Sequence, residues 1–127
     1  MCPRTCFSEQ WNSVDMSLET YLKISEVFPL VHHVYLSGWG EPLLNPNFIE
    51  MLEIAKEAGC AVGFTTNGAF LDSNIMQKLV RLQADLVSLS LAGATAESHE
   101  ARRVGSDFHR LINNLTLLES IKVKTGS

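Results

Sequence analysis

Gly38-Trp39-Gly40-Glu41-Pro42 lies between an apolar stretch and a helix-forming one. Two glycines let a backbone approach a ligand closely, and Glu41 supplies an acceptor for a cationic group. A G-x-G-x-x-G dinucleotide fingerprint fails, because its third glycine falls on Leu43. A carboxylate at the turn would also repel a pyrophosphate, and no G-x-x-x-x-G-K-S/T loop occurs. The ligand end expected here is positive, such as an ammonium. A plain structural turn would account for the glycines and proline alone.

Two further segments carry polar groups at similar places. Thr65-Thr66-Asn67-Gly68 ends one apolar stretch, and Ser88-Leu89-Ser90 ends another. On a strand, Val87, Leu89 and Leu91 would face helices while Ser88 and Ser90 point the other way. Hydroxyls on that second face suit either hydrogen bonding to a ligand or easy strand packing. The cysteines, Cys2, Cys6 and Cys60, are odd in number, which suggests free thiols or metal ligands rather than a disulfide framework. The histidines form no metal constellation: His32 and His33 are adjacent, while His99 and His109 stand in separate helical stretches.

The elements that must position these residues follow from periodicity and caps. Ser17 caps a first helix that Pro29 stops. Leu18, Tyr21, Leu22 and Phe28 give it a loosely apolar face. A strand follows at residues 33–37. Asn45 caps the second helix, Pro46 opens it and Gly59 closes it, with Phe48, Met51, Leu52 and Ala55 as one buried stripe. Residues 61–66 form a strand, Asp72 caps a third helix with Ile75, Met76, Leu79 and Val80 inward, and residues 86–91 form a strand. A long helix begins near Phe108, with Leu111, Ile112, Leu115 and Leu118 on one face. Strands about 25 residues apart with helices between them predict parallel βαβ units. Right-handed crossovers then bring all the strand carboxyl ends, and their polar residues, to one side.

Composition narrows the possibilities. With 127 residues, 46% hydrophobic and 19% charged, the chain is ordinary globular material for one domain. It is short for a closed eight-stranded barrel, which needs roughly 200 residues. A formal net charge of -4, with Arg102-Arg103 the only adjacent basic pair, argues against nucleic acid or an anionic membrane. No apolar run approaches the roughly 18 residues of a membrane span, and no secretory leader is evident. The expected compartment is the cytoplasm.

Ser37-Gly38-Trp39-Gly40-Glu41-Pro42-Leu43-Leu44 resembles the GGEP-type motif of radical S-adenosylmethionine (radical SAM) enzymes. That resemblance implies that Gly38, Trp39, Gly40, Glu41 and Pro42 hold the amino group of SAM. Thr65 to Gly68 is similar to the family's third-strand ending, with Asn67 near the cofactor. Ser88 and Ser90 match the fourth strand, where a serine touches SAM. Arg103 stands where an arginine meets SAM's carboxylate. The family binds a [4Fe-4S] cluster through Cys-x3-Cys-x2-Cys. Met1-Cys2-Pro3-Arg4 resembles the end of that motif, which makes Cys2 the third ligand and places two cysteines six and two residues upstream of Met1. The alternative takes Cys2 and Cys6 as first and second ligands with Glu9 as the third, though carboxylates are harder ligands than this chemistry prefers.

The resemblance implies an α/β fold, part of a (β/α)6 partial barrel, with residues 1–127 as a single partial core domain. Its first strand and last two would be absent. The implied activity is reductive cleavage of SAM to a 5′-deoxyadenosyl radical, with ferredoxin or flavodoxin as electron donor. The Trp-containing motif looks like the SPASM-type maturases, whose substrates are peptides or proteins. Two other classes remain: a non-catalytic SAM-binding α/β remnant, and a Rossmann-like methyltransferase, which the glycine pattern and Glu41 disfavour.

Overall fold

The computed structural model describes residues 9–10 and 14–126. The order is α1 (Leu18–Ser25), β1 (His33–Tyr35), α2 (Phe48–Glu57), β2 (Ala61–Thr66), α3 (Ser73–Arg81), β3 (Leu86–Leu89), α4 (Ala96–Glu100) and α5 (Phe108–Thr125). Short 3-10 turns stand at Phe28–Leu30 and Pro42–Leu44. The strands form one parallel sheet in the order β1-β2-β3. The expected mixed α/β architecture with parallel strands is therefore present. Among the described residues, β1 and β3 each have one neighbour and one open edge.

Local chemistry accounts for most boundaries. Ser17 caps α1 by accepting from the Thr20 amide. The helix ends at Ser25 rather than continuing to Pro29. A proline ring clashes with the carbonyl four residues earlier, which here is Ser25. The N-terminus of α2 also differs from expectation. Asn47, not Asn45, is its cap, because Asn45 is already committed to turning the chain. Its Oδ1 accepts from the Asn47 amide and its Nδ2 donates to the Met16 carbonyl. Asp72 caps α3 through the Ile75 amide, and Asp107 caps α5 through the Arg110 amide. α4 is an element that periodicity did not announce; Thr95 and Ser98 start it with a reciprocal capping box.

The core lies between the helices and one face of the sheet. Phe48, Met51, Leu52 and Ala55 of α2 are all buried, as are Met76 and Leu79 of α3, with Val62 and Phe64 of β2 beneath them. Phe48 and Phe64 meet edge to face at 4.8 Å. Tyr21 buries its ring against Phe28 and donates from its hydroxyl to the Met51 carbonyl at 2.8 Å, tying α1 to α2. Burial, with the Cys60 thiol nearby, pushes the Tyr21 hydroxyl up to about 12. Val87 and Leu89 pack toward this core as expected, but β3 stops at Leu89 and Leu91 is 50% exposed. Of the predicted α5 stripe, Leu111 is fully buried whereas Ile112 is exposed. No helix among the described residues is long and apolar enough to cross a membrane.

Two tests address what fixes this arrangement. Gly68 has φ +78°, and a Cβ there would run into Leu111 and come within 3.0 Å of Leu89. Gly59 has φ +83° with open space around it. Gly68→Ala is expected to lower the unfolding free energy of the full-length protein by clearly more than Gly59→Ala, which carries only the backbone cost of about 1 kcal/mol. Equal losses in urea titrations would refute the close approach.

Asp85 provides a pH test. Its carboxylate accepts from Lys56 Nζ at 2.8 Å and from the Val62 amide at 2.6 Å. The Lys56 bond first, then the Val62 amide, hold its pKa below the ordinary 3.8. A depressed folded pKa stabilises above the unfolded value and loses that contribution as pH falls through the folded one. The stability gap between wild type and Asp85→Asn should therefore be constant near neutrality and shrink below about pH 4. Solvent screening at this 43% exposed side chain keeps the gap within about 1 kcal/mol.

Candidate functional site at the strand carboxyl ends

The turn after β1 is pinned to the end of β2 by one side chain. Glu41 Oε1 accepts from the Thr66 hydroxyl at 2.5 Å and, at 3.4 Å, from the Leu43 amide. Its Oε2 accepts from the Asn67 amide at 2.8 Å. Thr66 is 1% exposed, and its oxygen also accepts from the Gly68 amide at 3.0 Å. Asn67 Oδ1 folds back to accept from the Ala69 amide. Two of the segments singled out by sequence thus meet, although 25 residues separate Glu41 from Thr66. Both Glu41 oxygens are engaged within the chain, while Gly38, Trp39 and Gly40 stay exposed and Pro42 is half-buried.

On the sheet face away from the helices, three hydroxyls line up across all three strands. Tyr35 Oη lies 2.6 Å from Thr65 Oγ1 and 3.5 Å from Ser88 Oγ. The register explains this: Tyr35 is opposite Gly63, and Thr65 is opposite Ser88. Gly63 lets the tyrosine ring lie across β2, since a Cβ there would come within 3.0 Å of the ring. Hydrogen bonds with Ser88 and then Thr65 lower the pKa of the Tyr35 hydroxyl. Ser90 continues the pairing, its amide donating to the Thr66 carbonyl at 3.0 Å.

Two hollows flank these strand ends. A cleft of about 490 Å³ follows the open edge of β1, lined by Tyr21, Phe28, Val34, Leu36, Trp39 and Glu41 among others. A second, of about 260 Å³, is bounded by Asn67, Gly68, His99, Arg103, Ser106 and Arg110. The larger is mostly apolar, and the smaller carries Arg103 and Arg110 together with the Asp107 carboxylate that caps α5. The ion pairs among the described residues are Lys23–Glu19 and Lys56–Asp85, so Arg103 and Arg110 face this hollow without a carboxylate partner. Arg102 differs from its neighbour. Its Nη1 donates to the Ala92 and Ser98 carbonyls and is occupied in structure.

The described residues contain no group of three His, Cys, Asp or Glu side chains able to hold a metal. Cys60 is buried, its thiol directed at the Phe28 and Val31 carbonyls, as an apolar thiol should be. Cys2 and Cys6, the candidate cluster ligands, lie outside the described residues. The described residues therefore do not fit an iron–sulfur cluster. They do fit a small zwitterionic ligand, with an exposed glycine turn at one strand end and unpaired guanidinium groups beside the next.

The family model of the radical SAM superfamily matches residues 1–127. The chain belongs to the radical SAM superfamily. It is 36% identical over 91 residues to a tungsten-containing aldehyde ferredoxin oxidoreductase cofactor-modifying protein of Pyrococcus furiosus, covering 68% of this chain and 26% of that one. It is 31% identical over 96 residues to an AdoMet-dependent heme synthase of Methanosarcina barkeri, covering 75% of this chain and 28% of that protein. A mycofactocin maturase of Mycobacterium ulcerans, MftC, is 33% identical over 78 residues, 61% of this chain and 21% of its own length. The chain thus spans between a fifth and a third of the curated relatives it matches. Sequence reading gave no part to Tyr35, whose partners Thr65 and Ser88 lie 30 and 53 residues away.

The Glu41 strut has a measurable consequence. Glu41→Ala removes both acceptor oxygens, leaving the Asn67 amide and the Thr66 hydroxyl without them. A bond to a charged acceptor contributes about 1.5–3 kcal/mol, so hydrogen exchange at the Asn67 amide should rise by tenfold or more. An unchanged Asn67 exchange rate in the variant would show that the turn is held by something else.

Proposed function

We propose that this chain supplies the SAM-holding part of a radical SAM enzyme. Gly38, Trp39, Gly40, Glu41, Pro42, Asn67, Ser88, Ser90 and Arg103 are its cofactor-binding residues. The observation that carries this reading is the junction made by Glu41, which sets the glycine turn beside Asn67 and within one strand of the hollow that Arg103 lines. Because the Glu41 carboxylate is satisfied internally, the ammonium of SAM would meet backbone carbonyls of the turn, with Glu41 holding that turn in place. Arg103 would receive the carboxylate, for which a planar guanidinium offers a bidentate match. Ser88 and Ser90 supply short hydroxyls between these two ends.

The three parallel strands fit the second to fourth strands of a (β/α)6 partial barrel, and residues 1–127 fit one partial core domain. Cys2 is proposed as a ligand of a [4Fe-4S] cluster completed by cysteines outside this sequence. The cluster would supply the electron for reductive cleavage of SAM, drawn from a donor such as ferredoxin or flavodoxin. The names of the relatives, a cofactor-modifying protein, a heme synthase and a mycofactocin maturase among them, support maturation of a cofactor, peptide or protein as the setting. The proposed compartment is the cytoplasm, whose reducing poise keeps thiols free.

The test uses the full-length protein, reconstituted anaerobically with iron and sulfide. Equilibrium dialysis should detect SAM binding, and Arg103→Ala should weaken it by roughly ten- to hundredfold, as expected for a bond to a charged group. Dithionite should then release 5′-deoxyadenosine. SAM binding without any 5′-deoxyadenosine would favour the non-catalytic remnant, and absence of SAM binding would overturn the reading.

A further inference from the structure

Tyr35 is the last residue of β1, Thr65 the next to last of β2 and Ser88 the next to last of β3. Their hydroxyls therefore meet at the carboxyl end of the sheet, on the face away from the helices. Thr66, which donates to Glu41, follows Thr65 directly and points to the opposite face, as successive strand residues do. The hydroxyl row and the Glu41 junction thus stand back to back across the end of β2.

Counting hydrogens gives the row a direction. Tyr35 Oη donates to Ser88 Oγ at 3.5 Å and lies 2.6 Å from Thr65 Oγ1, where either oxygen can be the donor. A phenol has one hydrogen. Both bonds form together only when Thr65 donates to Tyr35 and Tyr35 donates to Ser88. Accepting from Tyr35 leaves Ser88 its own hydrogen to give to a further group. The Tyr35–Ser88 bond is long, and engaging that last hydrogen would tighten it, because linked hydroxyls polarise one another.

The backbone is shaped to let Tyr35 reach this far. Gly63 stands inside the six-residue β2, where a glycine weakens a strand and marks a close approach. A Cβ there would come within 3.0 Å of the Tyr35 ring and 3.2 Å of Leu86 Cβ. Without one, the ring crosses β2 and brings its hydroxyl from β1 to a serine of β3, 53 residues away. The side chain does not serve the core: Tyr35 is 51% exposed.

We propose that Tyr35 is a positioning residue of the SAM site: its hydroxyl, held by Thr65, turns the Ser88 hydroxyl so that Ser88 donates to an acceptor atom of the bound cofactor. This rests on the reading of Ser88 as a cofactor-binding residue. It makes the tyrosine of β1 and the glycine of β2 part of a site whose direct contact comes from β3.

A double-mutant cycle on the full-length protein, reconstituted anaerobically and read as SAM affinity by equilibrium dialysis, tests the link. Tyr35→Phe keeps the ring over Gly63 and removes only Oη. It should weaken SAM binding by roughly three- to tenfold, the effect of a neutral hydrogen bond. Ser88→Ala should weaken binding at least as much. In the Ser88→Ala background, Tyr35→Phe should then add less than about twofold, because the group it orients is gone. Over Ser90→Ala, outside the row, Tyr35→Phe should keep its whole effect. A merely structural tyrosine would lower the urea midpoint in Tyr35→Phe while SAM affinity stays at the wild-type value, and that result overturns the proposal. Losses that multiply in the Tyr35→Phe, Ser88→Ala double variant overturn it as well, since Tyr35 would then act without Ser88. So does a Ser88→Ala variant that binds SAM as tightly as wild type. Wild-type protein that binds no SAM would remove the site reading and this proposal together, a result distinct from wild-type binding that Tyr35→Phe leaves unchanged.

Discussion

One carboxylate holds the functional end of this molecule together. Glu41 takes hydrogen bonds from the Thr66 hydroxyl and the Asn67 and Leu43 amides, and no cation among the described residues forms an ion pair with it. An ionised group half withdrawn from water must be compensated by oriented dipoles, and three donors converge to do so. The Gly68 amide adds a fourth link by donating to the Thr66 oxygen. Because these donors belong to the end of β2 and the acceptor to the turn after β1, the two loops cannot drift independently. Pro42 and the 3-10 turn it opens then determine where the chain leaves for α2.

The parallel sheet dictates where that junction points. All three strands run the same way, so the turn at residue 38, the bend at residue 67 and the loop after residue 89 emerge on one side. Helices cover only one face, which is where Val62, Phe64, Val87 and Leu89 collect. The other face carries Tyr35, Gly63, Thr65, Leu86 and Ser88, and Tyr35 and Leu86 are each about half exposed. Parallel strands are normally apolar on both faces because both are buried. A row of hydroxyls backed by glycine is a surface built to meet something polar. In a closed or partly closed barrel, this face would be the interior.

What sequence could say followed the range of the interactions concerned. Phe48, Met51, Leu52 and Ala55 are spaced for one helix face, and all four are buried. β2 runs from Ala61 to Thr66 as its apolar run implied, Asp72 was legible as a cap, and the start near Phe108 was legible from the apolar spacing that follows it. Errors arose where a local signal had two uses. Asn45 and Pro46 carry every mark of a helix start, yet Asn45 serves the preceding turn and the helix begins two residues later. α4 has only five residues, too few for a periodic stripe, and only its Thr95–Ser98 capping box marked it. The Tyr35–Thr65–Ser88 row depends on register, which the sequence does not print.

The candidate site shows the same division more sharply. Residue types placed Gly38, Asn67 and Ser88 at strand ends without fixing their partners. Glu41 illustrates the limit: residue type offers an acceptor beside a glycine turn, and only the structure shows that acceptor also closing a junction across 25 residues. Arg102 and Arg103 are indistinguishable as an adjacent basic pair. The turn after α4 gives one to the backbone of the loop after β3 and sets the other along the hollow. His99 packs against Phe108, and its Nδ1 also accepts from the Ala92 amide. In each case the structural and binding roles are held by different atoms of one segment. A strand-end site can therefore be rigid before its ligand arrives: the groups that fix the loops are distinct from those left facing outward.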